Sequence, residues 1–143
     1  MLALSRAYGQ KPVLIAKLAE QENIPIKFLE AILLELKGFG LLDSKSGPGG
    51  GYRLLQPPAQ ITVGSLIRLL EGPLAPLPCA SETAYKPCDD CRDVAFCGTR
   101  IVMRQVRDAI ANVLDRTTLA DVIANVDHQK LDRSLPDELM YYI

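Results

Sequence analysis

SKSGPGGGYRLL, residues 44–55, reads as a tight β-hairpin. Gly47, Gly49, Gly50 and Gly51 allow positive φ and close approach of the backbone to another molecule, and Pro48 stiffens the tip. Lys45 and Arg53 flank the tip, so the loop carries donors at its base. Upstream, residues 13–21 place Ile15, Leu18 and Ala19 on one helical face, and Asn23, Ile24 and Pro25 break that helix. Pro25 suits the first turn of the next helix, where its missing N–H costs nothing. Leu29, Ile32, Leu33 and Leu36 then recur at helical spacing until Gly38 and Gly40 end the element. Helix, turn, helix, hairpin is the order of a winged helix-turn-helix, and this wing is shaped to lie against a phosphate backbone.

In that fold the N-terminal part of the second helix enters the major groove of double-stranded DNA. Its outward face holds Lys27, Phe28, Glu30, Ala31, Leu34 and Lys37, of which the first four are the groove-facing candidates. A carboxylate there accepts from a cytosine amino group but repels phosphate, so Glu30 favours selectivity over affinity. The competing readings are a winged helix used for protein contact and a nucleotide phosphate loop. The second is weak, because GPGGGY is not followed by Lys-Ser/Thr and does not lead from a strand into a helix.

The net charge of −1 over 143 residues is unevenly spread. Residues 1–57 hold seven Lys/Arg against five Asp/Glu, and residues 58–143 hold nine against twelve. This permits DNA binding by the first half without demonstrating it. No apolar run reaches membrane-spanning length, and MLALSRAYGQ has neither the charged front nor the cleavage site of a signal peptide. A cytoplasmic protein is expected.

Beyond residue 57 the pattern is helical and interrupted. Thr62 is a plausible N-cap for a short helix with Leu66, Ile67, Leu69 and Leu70 on its buried side, stopped by Gly72-Pro73. Residues 73–92 form a loop containing proline and cysteine. From about Arg92 to Thr117 a long helix is expected, with Met103, Val106, Ile110 and Val113 as one seam, part of it packed against a second copy. A cap and a short helix follow at residues 117–122, then a polar tail in which Ser134 is a candidate cap. The expected organisation is a winged region over 1–57, a short helix and cysteine loop over 58–92, a dimerisation helix and short following helix over 93–126, and a tail over 127–143. The fold class is mainly α with a small β-hairpin wing.

All four cysteines, Cys79, Cys88, Cys91 and Cys97, fall in or beside this loop. In a cytosolic protein such a concentration favours metal binding over disulfides. Thiolates suit zinc and iron–sulfur clusters alike, and spacing does not separate the two. The Cys88–Cys91 pair resembles a redox dithiol only superficially, since a thioredoxin-like βαβ context is missing. Reduced structural thiols are the remaining alternative.

The chain resembles bacterial winged-helix regulators of the IscR/NsrR/CymR kind. The resemblance rests on LAEQENIPIKFLEAILLELKGFGLL, GPGGGYRL, ITVGSLIRLLEGPL, the cysteine loop and TTLADVI. It implies a homodimer that binds operator DNA through the second helix and the wing, here Lys27, Phe28, Glu30, Ala31, Lys45, Ser46, Gly47, Pro48, Gly49, Gly50, Tyr52 and Arg53. In sensing members each subunit holds an iron–sulfur cluster (2Fe–2S or 4Fe–4S) in the loop, and its gain or loss switches DNA affinity. Carried over, the ligands are Cys79, Cys91 and Cys97, with Cys88 as a replacement or fourth. Arg100 stands where one branch has a ligating histidine, and Ser46 where an arginine often precedes the wing glycines. The resemblance also implies a first helix that starts upstream of Met1, with residues 1–7 as its end.

The expected function is a dimeric DNA-binding regulator that senses iron–sulfur or redox status. Two alternatives stand beside it: a cluster-free regulator answering to a protein partner or thiol modification, and a zinc-binding interaction protein. An enzyme is not expected, because no nucleophile–base arrangement is visible and the one histidine, His128, lies in the tail.

Overall fold

A computed structural model describes residues 1–89, 91 and 93–134 of the chain. Two compact units result. One combines the first 60 residues with those from Leu119 onward, and the other is Ile61–Thr118.

The first unit contains α1 (Leu2–Arg6), α2 (Ile15–Glu22), α3 (Ile26–Gly38), β1 (Leu42–Lys45), β2 (Gly51–Leu54) and α6 (Leu119–Ser134). α2 stops at Asn23, whose left-handed φ of 52° turns the chain so that Ile24 N–H donates to the Ala19 carbonyl. Pro25 is the residue just before α3, and its carbonyl accepts from Leu29 N–H at 3.0 Å. The helix therefore begins one residue later than the sequence suggests. Leu29, Leu33 and Leu36 are its buried face and pack with Leu18, Leu41, Leu42 and Leu54 in the core of the winged module. Each such side chain contributes about 1.5–3 kcal/mol by leaving water.

β1 and β2 pair antiparallel in the register Leu42↔Leu54, Asp43↔Arg53, Ser44↔Tyr52 and Lys45↔Gly51. On its other edge β2 is held by Val13, which exchanges both backbone hydrogen bonds with Tyr52 at 2.9 Å. Val13 is thus an extended residue ahead of α2, not its first turn. At the other end of the unit α1 lies against α6, where Arg6 donates to Asp127, one bond at 2.9 Å. α6 runs on to Ser134, well past the short helix and polar tail expected from composition. The Ser134 side chain and residues 135–143 lie outside the described residues.

The second unit contains α4 (Val63–Leu70) and α5 (Gly98–Leu114), joined by the cysteine loop with a 3-10 turn at Pro78–Ala80. Thr62 caps α4, accepting from Ser65 N–H at 3.2 Å. Val63 N–H donates to the Thr117 carbonyl at 2.8 Å, and Arg68 forms a two-bond ion pair with Asp115, so the ends of α4 and α5 are fastened together. α5 starts later than the sequence pattern suggests, at Gly98, and Arg92 is outside the described residues. Its apolar residues do not make one seam either. Met103, Ile110 and Leu114 are half-buried, whereas Val102, Val106, Ala109 and Val113 form an exposed stripe.

Candidate nucleic-acid interface and cysteine loop

The outward side of α3 is open to solvent as expected: Lys27, Phe28, Glu30, Ala31, Leu34 and Lys37 are all exposed, with Phe28 at 62%. Leucines at one helical spacing bury the other side, so the face is fixed by the same pattern that builds the core. Lys37 is not free, because its Nζ donates to Ser44 Oγ of β1 at 2.7 Å. This bond ties the end of α3 to the base of the wing.

Lys45, Ser46, Gly47, Pro48 and Gly49 are exposed at the tip, while Gly50 is buried and Tyr52 half-buried. Glycine is a steric necessity at two of these positions. A Cβ on Gly50 would sit 2.2 Å from the Lys45 carbonyl oxygen. One on Gly51, where φ is +137°, would sit 2.3 Å from the Val13 carbonyl oxygen. A concavity of about 260 Å³ opens between the start of α2 and the wing, lined by Leu14, Ser44, Lys45, Gly47 and Gly50. Lys45 gives this concavity a cation at its edge.

Arg53 does not project as a second free cation at the wing base. Its Nε and Nη2 donate to Asp43 Oδ2 at 3.0 and 2.7 Å across the strand pair. These bonds hold the Asp43 carboxyl below the usual carboxylate range, with Ser44 N–H adding to the effect. Lys45 is the cation the tip itself presents.

In the cysteine loop the sequence distance between Cys88, Cys91 and Cys97 collapses. Cys91 N–H donates to the Cys88 carbonyl at 3.2 Å, and Asp93 Oδ1 accepts from Ala95 N–H at 2.8 Å, bending the chain back to Cys97. Cys97 is the N-cap residue of α5, and its carbonyl accepts from Ile101 N–H. Desolvation, a hydrogen bond with Cys97 and the nearness of Cys97 and Cys88 push the Cys91 thiol up from its ordinary value. Cys79 approaches by its backbone: Arg100, in the first turn of α5, donates Nε to the Cys79 carbonyl at 2.8 Å. Among the described residues no three His, Cys, Asp or Glu side chains stand in metal-holding geometry. The donor chemistry is that of a soft site, since Cys91 lies near both Cys88 and Cys97 and the Cys79 carbonyl is bonded from the first turn of α5.

Two residues of this region have a part that the sequence reading does not assign: it places Arg100 only where a related branch has a histidine and gives Arg107 no role. Arg107 is 7% exposed and Arg100 is half-buried, and both grip the loop. A signal was present: Arg107 falls in step with Met103, Ile110 and Leu114, a charged residue on an otherwise inward helical face.

Comparison with known proteins agrees with this fold. The Rrf2 family profile, described as iron-dependent transcriptional regulator, matches residues 1–125. An rrf2-like HTH-type transcriptional regulator of Rhodobacter capsulatus is 40% identical over 120 residues, covering 84% of this chain and 80% of that one. The structure of CymR, the global cysteine regulator of B. subtilis, superposes with a TM-score of 0.70 at 32% identity, covering 87% of each chain. That of T. potens IscR gives 0.69 at 29% identity, covering 99% of this chain and 87% of the other.

Proposed function

The chain belongs to the Rrf2 family of DNA-binding transcriptional regulators, and we propose that it reads an operator through α3 and the wing while its cysteine loop reports iron–sulfur or redox status. The observation that carries this reading is the pairing, in one chain, of an exposed helix face beside a glycine-tipped wing with a loop in which Cys91 lies near Cys88 and near Cys97, the N-cap of α5.

Lys27, Phe28, Glu30 and Ala31 meet base edges in the major groove. Glu30 accepts from a cytosine amino group, and the apolar Phe28 and Ala31 suit thymine methyl groups. Lys45 and the backbone of Ser46, Gly47, Pro48, Gly49 and Gly50 meet the phosphates, with Tyr52 as the strand residue behind them. Arg53 acts indirectly, by holding the hairpin through Asp43. The exposed stripe Val102, Val106, Ala109 and Val113 supports a two-fold dimer, which suits a pseudo-palindromic operator.

Cys79, Cys91 and Cys97 would hold the cluster, with Cys88 as replacement or fourth donor. A bound cluster would supply an oxidisable centre at the loop. The test is an absorption spectrum with iron and sulfide analysis on protein purified without oxygen. Matched iron and sulfide with visible bands are expected, and Cys97→Ala should bleach them while the chain stays folded. A colourless parent protein would remove the cluster from the account.

A second reading is supported by the likeness to the B. subtilis cysteine regulator. In it the loop carries no cluster, and a protein partner or thiol modification is the input. DNA binding by a metal-free protein that changes on thiol oxidation would favour it.

A further inference from the structure

We propose that Arg100 and Arg107 are positioning residues that clamp the Cys79 segment onto α5, so that the first cysteine of the loop is presented to the turn holding Cys91 and Cys97. The inference rests on the cluster reading for its purpose, but its geometry is independent of any metal.

Arg107 is the more telling of the two. Removing a guanidinium from water is costly, and a buried ion pair is a poor source of net stability. Here every side of the group is met: Nη1 donates to the Ala80 carbonyl at 2.6 Å, Nε to Asp108 Oδ1 at 2.8 Å, and Nη2 lies 3.0 Å from Glu82. An apolar residue would pack at that position with less desolvation. What the arginine adds is direction, because its bonds form only when the Pro78–Ala80 turn sits on the helix.

Arg100, seven residues earlier and so on the same helical face, repeats the contact one residue back. Its Nε donates to the Cys79 carbonyl at 2.8 Å, and its guanidinium lies 5.8 Å from the Tyr85 ring centroid, within cation–π range. Two successive carbonyls, those of Cys79 and Ala80, are thus held by two arginines two turns apart. The loop's own bonds only shape it: Ala80 N–H to Leu77, Ser81 N–H to Pro78, Lys86 N–H to Pro78 and Ala84 N–H to Ser81 Oγ. Among the described residues, the hydrogen bonds that join this loop to α5 are those of the two arginines. Since Arg100 stands three residues after Cys97, the clamp brings the Cys79 backbone to the first turn of α5, which Cys97 caps. Where the resemblance would place a ligating histidine, this chain uses the side chain to place a cysteine.

The test reads the position of Cys79 without a metal. In a chain carrying Cys88→Ser and Cys91→Ser, dibromobimane becomes fluorescent only on bridging Cys79 to Cys97. Bridging is expected in that parent. It should slow at least about ten-fold in Arg100→Met, the effect of losing one hydrogen bond from a charged donor. Arg100→Lys, which keeps a donor, should restore most of it, and Arg107→Met should slow it as well. Thermal melts identify any variant that fails to fold, and Arg100→Met, altered at a half-buried site, carries the test if Arg107→Met does not fold. In the four-cysteine protein the iron and sulfide content should fall in Arg100→Met and recover in Arg100→Lys. Bridging that is equally fast in Arg100→Met and its parent, or absent from the parent, overturns the clamp. Bridging that follows the prediction in a protein that takes up no iron or sulfide leaves the clamp standing and removes the cluster reading.

Discussion

Glu30 and Lys45 stand on consecutive elements, and the proposed DNA contacts ask different chemistry of each. A lysine opposite a phosphate displaces a condensed counterion, whatever the base sequence. Lys45→Ala should therefore weaken binding to all DNA fragments alike and lower the slope of log K against log salt by about one. A carboxylate opposite a base edge acts through one hydrogen bond to one base pair. Glu30→Ala should cost about 1–3 kcal/mol of discrimination at that pair and leave the salt slope in place. Competition titrations over a range of salt separate the two effects. Arg53 is tied across the hairpin to Asp43 through Nε and Nη2. That pair predicts a pH effect on the hairpin instead. The native Asp43 carboxyl titrates below its unfolded value, so its stabilisation is complete above the unfolded value of about 3.9 and is lost as pH falls through the native one. Asp43→Asn should flatten this part of the acid limb in melting temperature measured against pH.

At the scale of elements, the wing is held on two sides, by β1 through the hairpin register and by Val13 through one bridge. Gly51 stands at that junction. Gly51→Ala must both adopt a φ of +137° and move the Val13 carbonyl, so it should destabilise the winged module by more than the about 1–3 kcal/mol of backbone strain alone. Denaturant melts of the variant measure the loss. The helix pair and the hairpin were legible in the sequence because Leu29, Leu33 and Leu36 recur at helical spacing and the glycine run can form little but a turn. Val13 was not, since a single bridging residue has no period to read. The end of α6 was missed for a related reason: residues 127–134 are polar, and the contact of α6 with α1 that includes Arg6 and Asp127 depends on residues far apart in sequence. In the cysteine loop the spacing pointed to a soft donor set. The turn that brings Cys91 against Cys97, and the arginines that hold Cys79, depend on backbone hydrogen bonds that no spacing encodes.

For the whole molecule, the winged unit holds the parts proposed to read DNA, and the Ile61–Thr118 unit holds the cysteines and the exposed valine stripe of α5. The sequence pointed to α5 as the pairing helix but misassigned its two faces, because Met103 and Ile110 look as apolar as Val102 and Val113. Val106→Glu should shift a dimer toward monomer in sedimentation and weaken operator binding with it, since half-sites are then read one at a time. In the proposed mechanism the cysteine loop sets how strongly the winged unit binds DNA. This is tested most directly by titrating one promoter fragment, selected from genomic DNA, with oxygen-free protein as purified and with the same protein stripped of iron. A salt-sensitive, sequence-selective affinity that differs between the two forms, and loses the difference in Cys97→Ala, is the predicted result. Equal affinity in both forms, or no preference for any fragment, would contradict it.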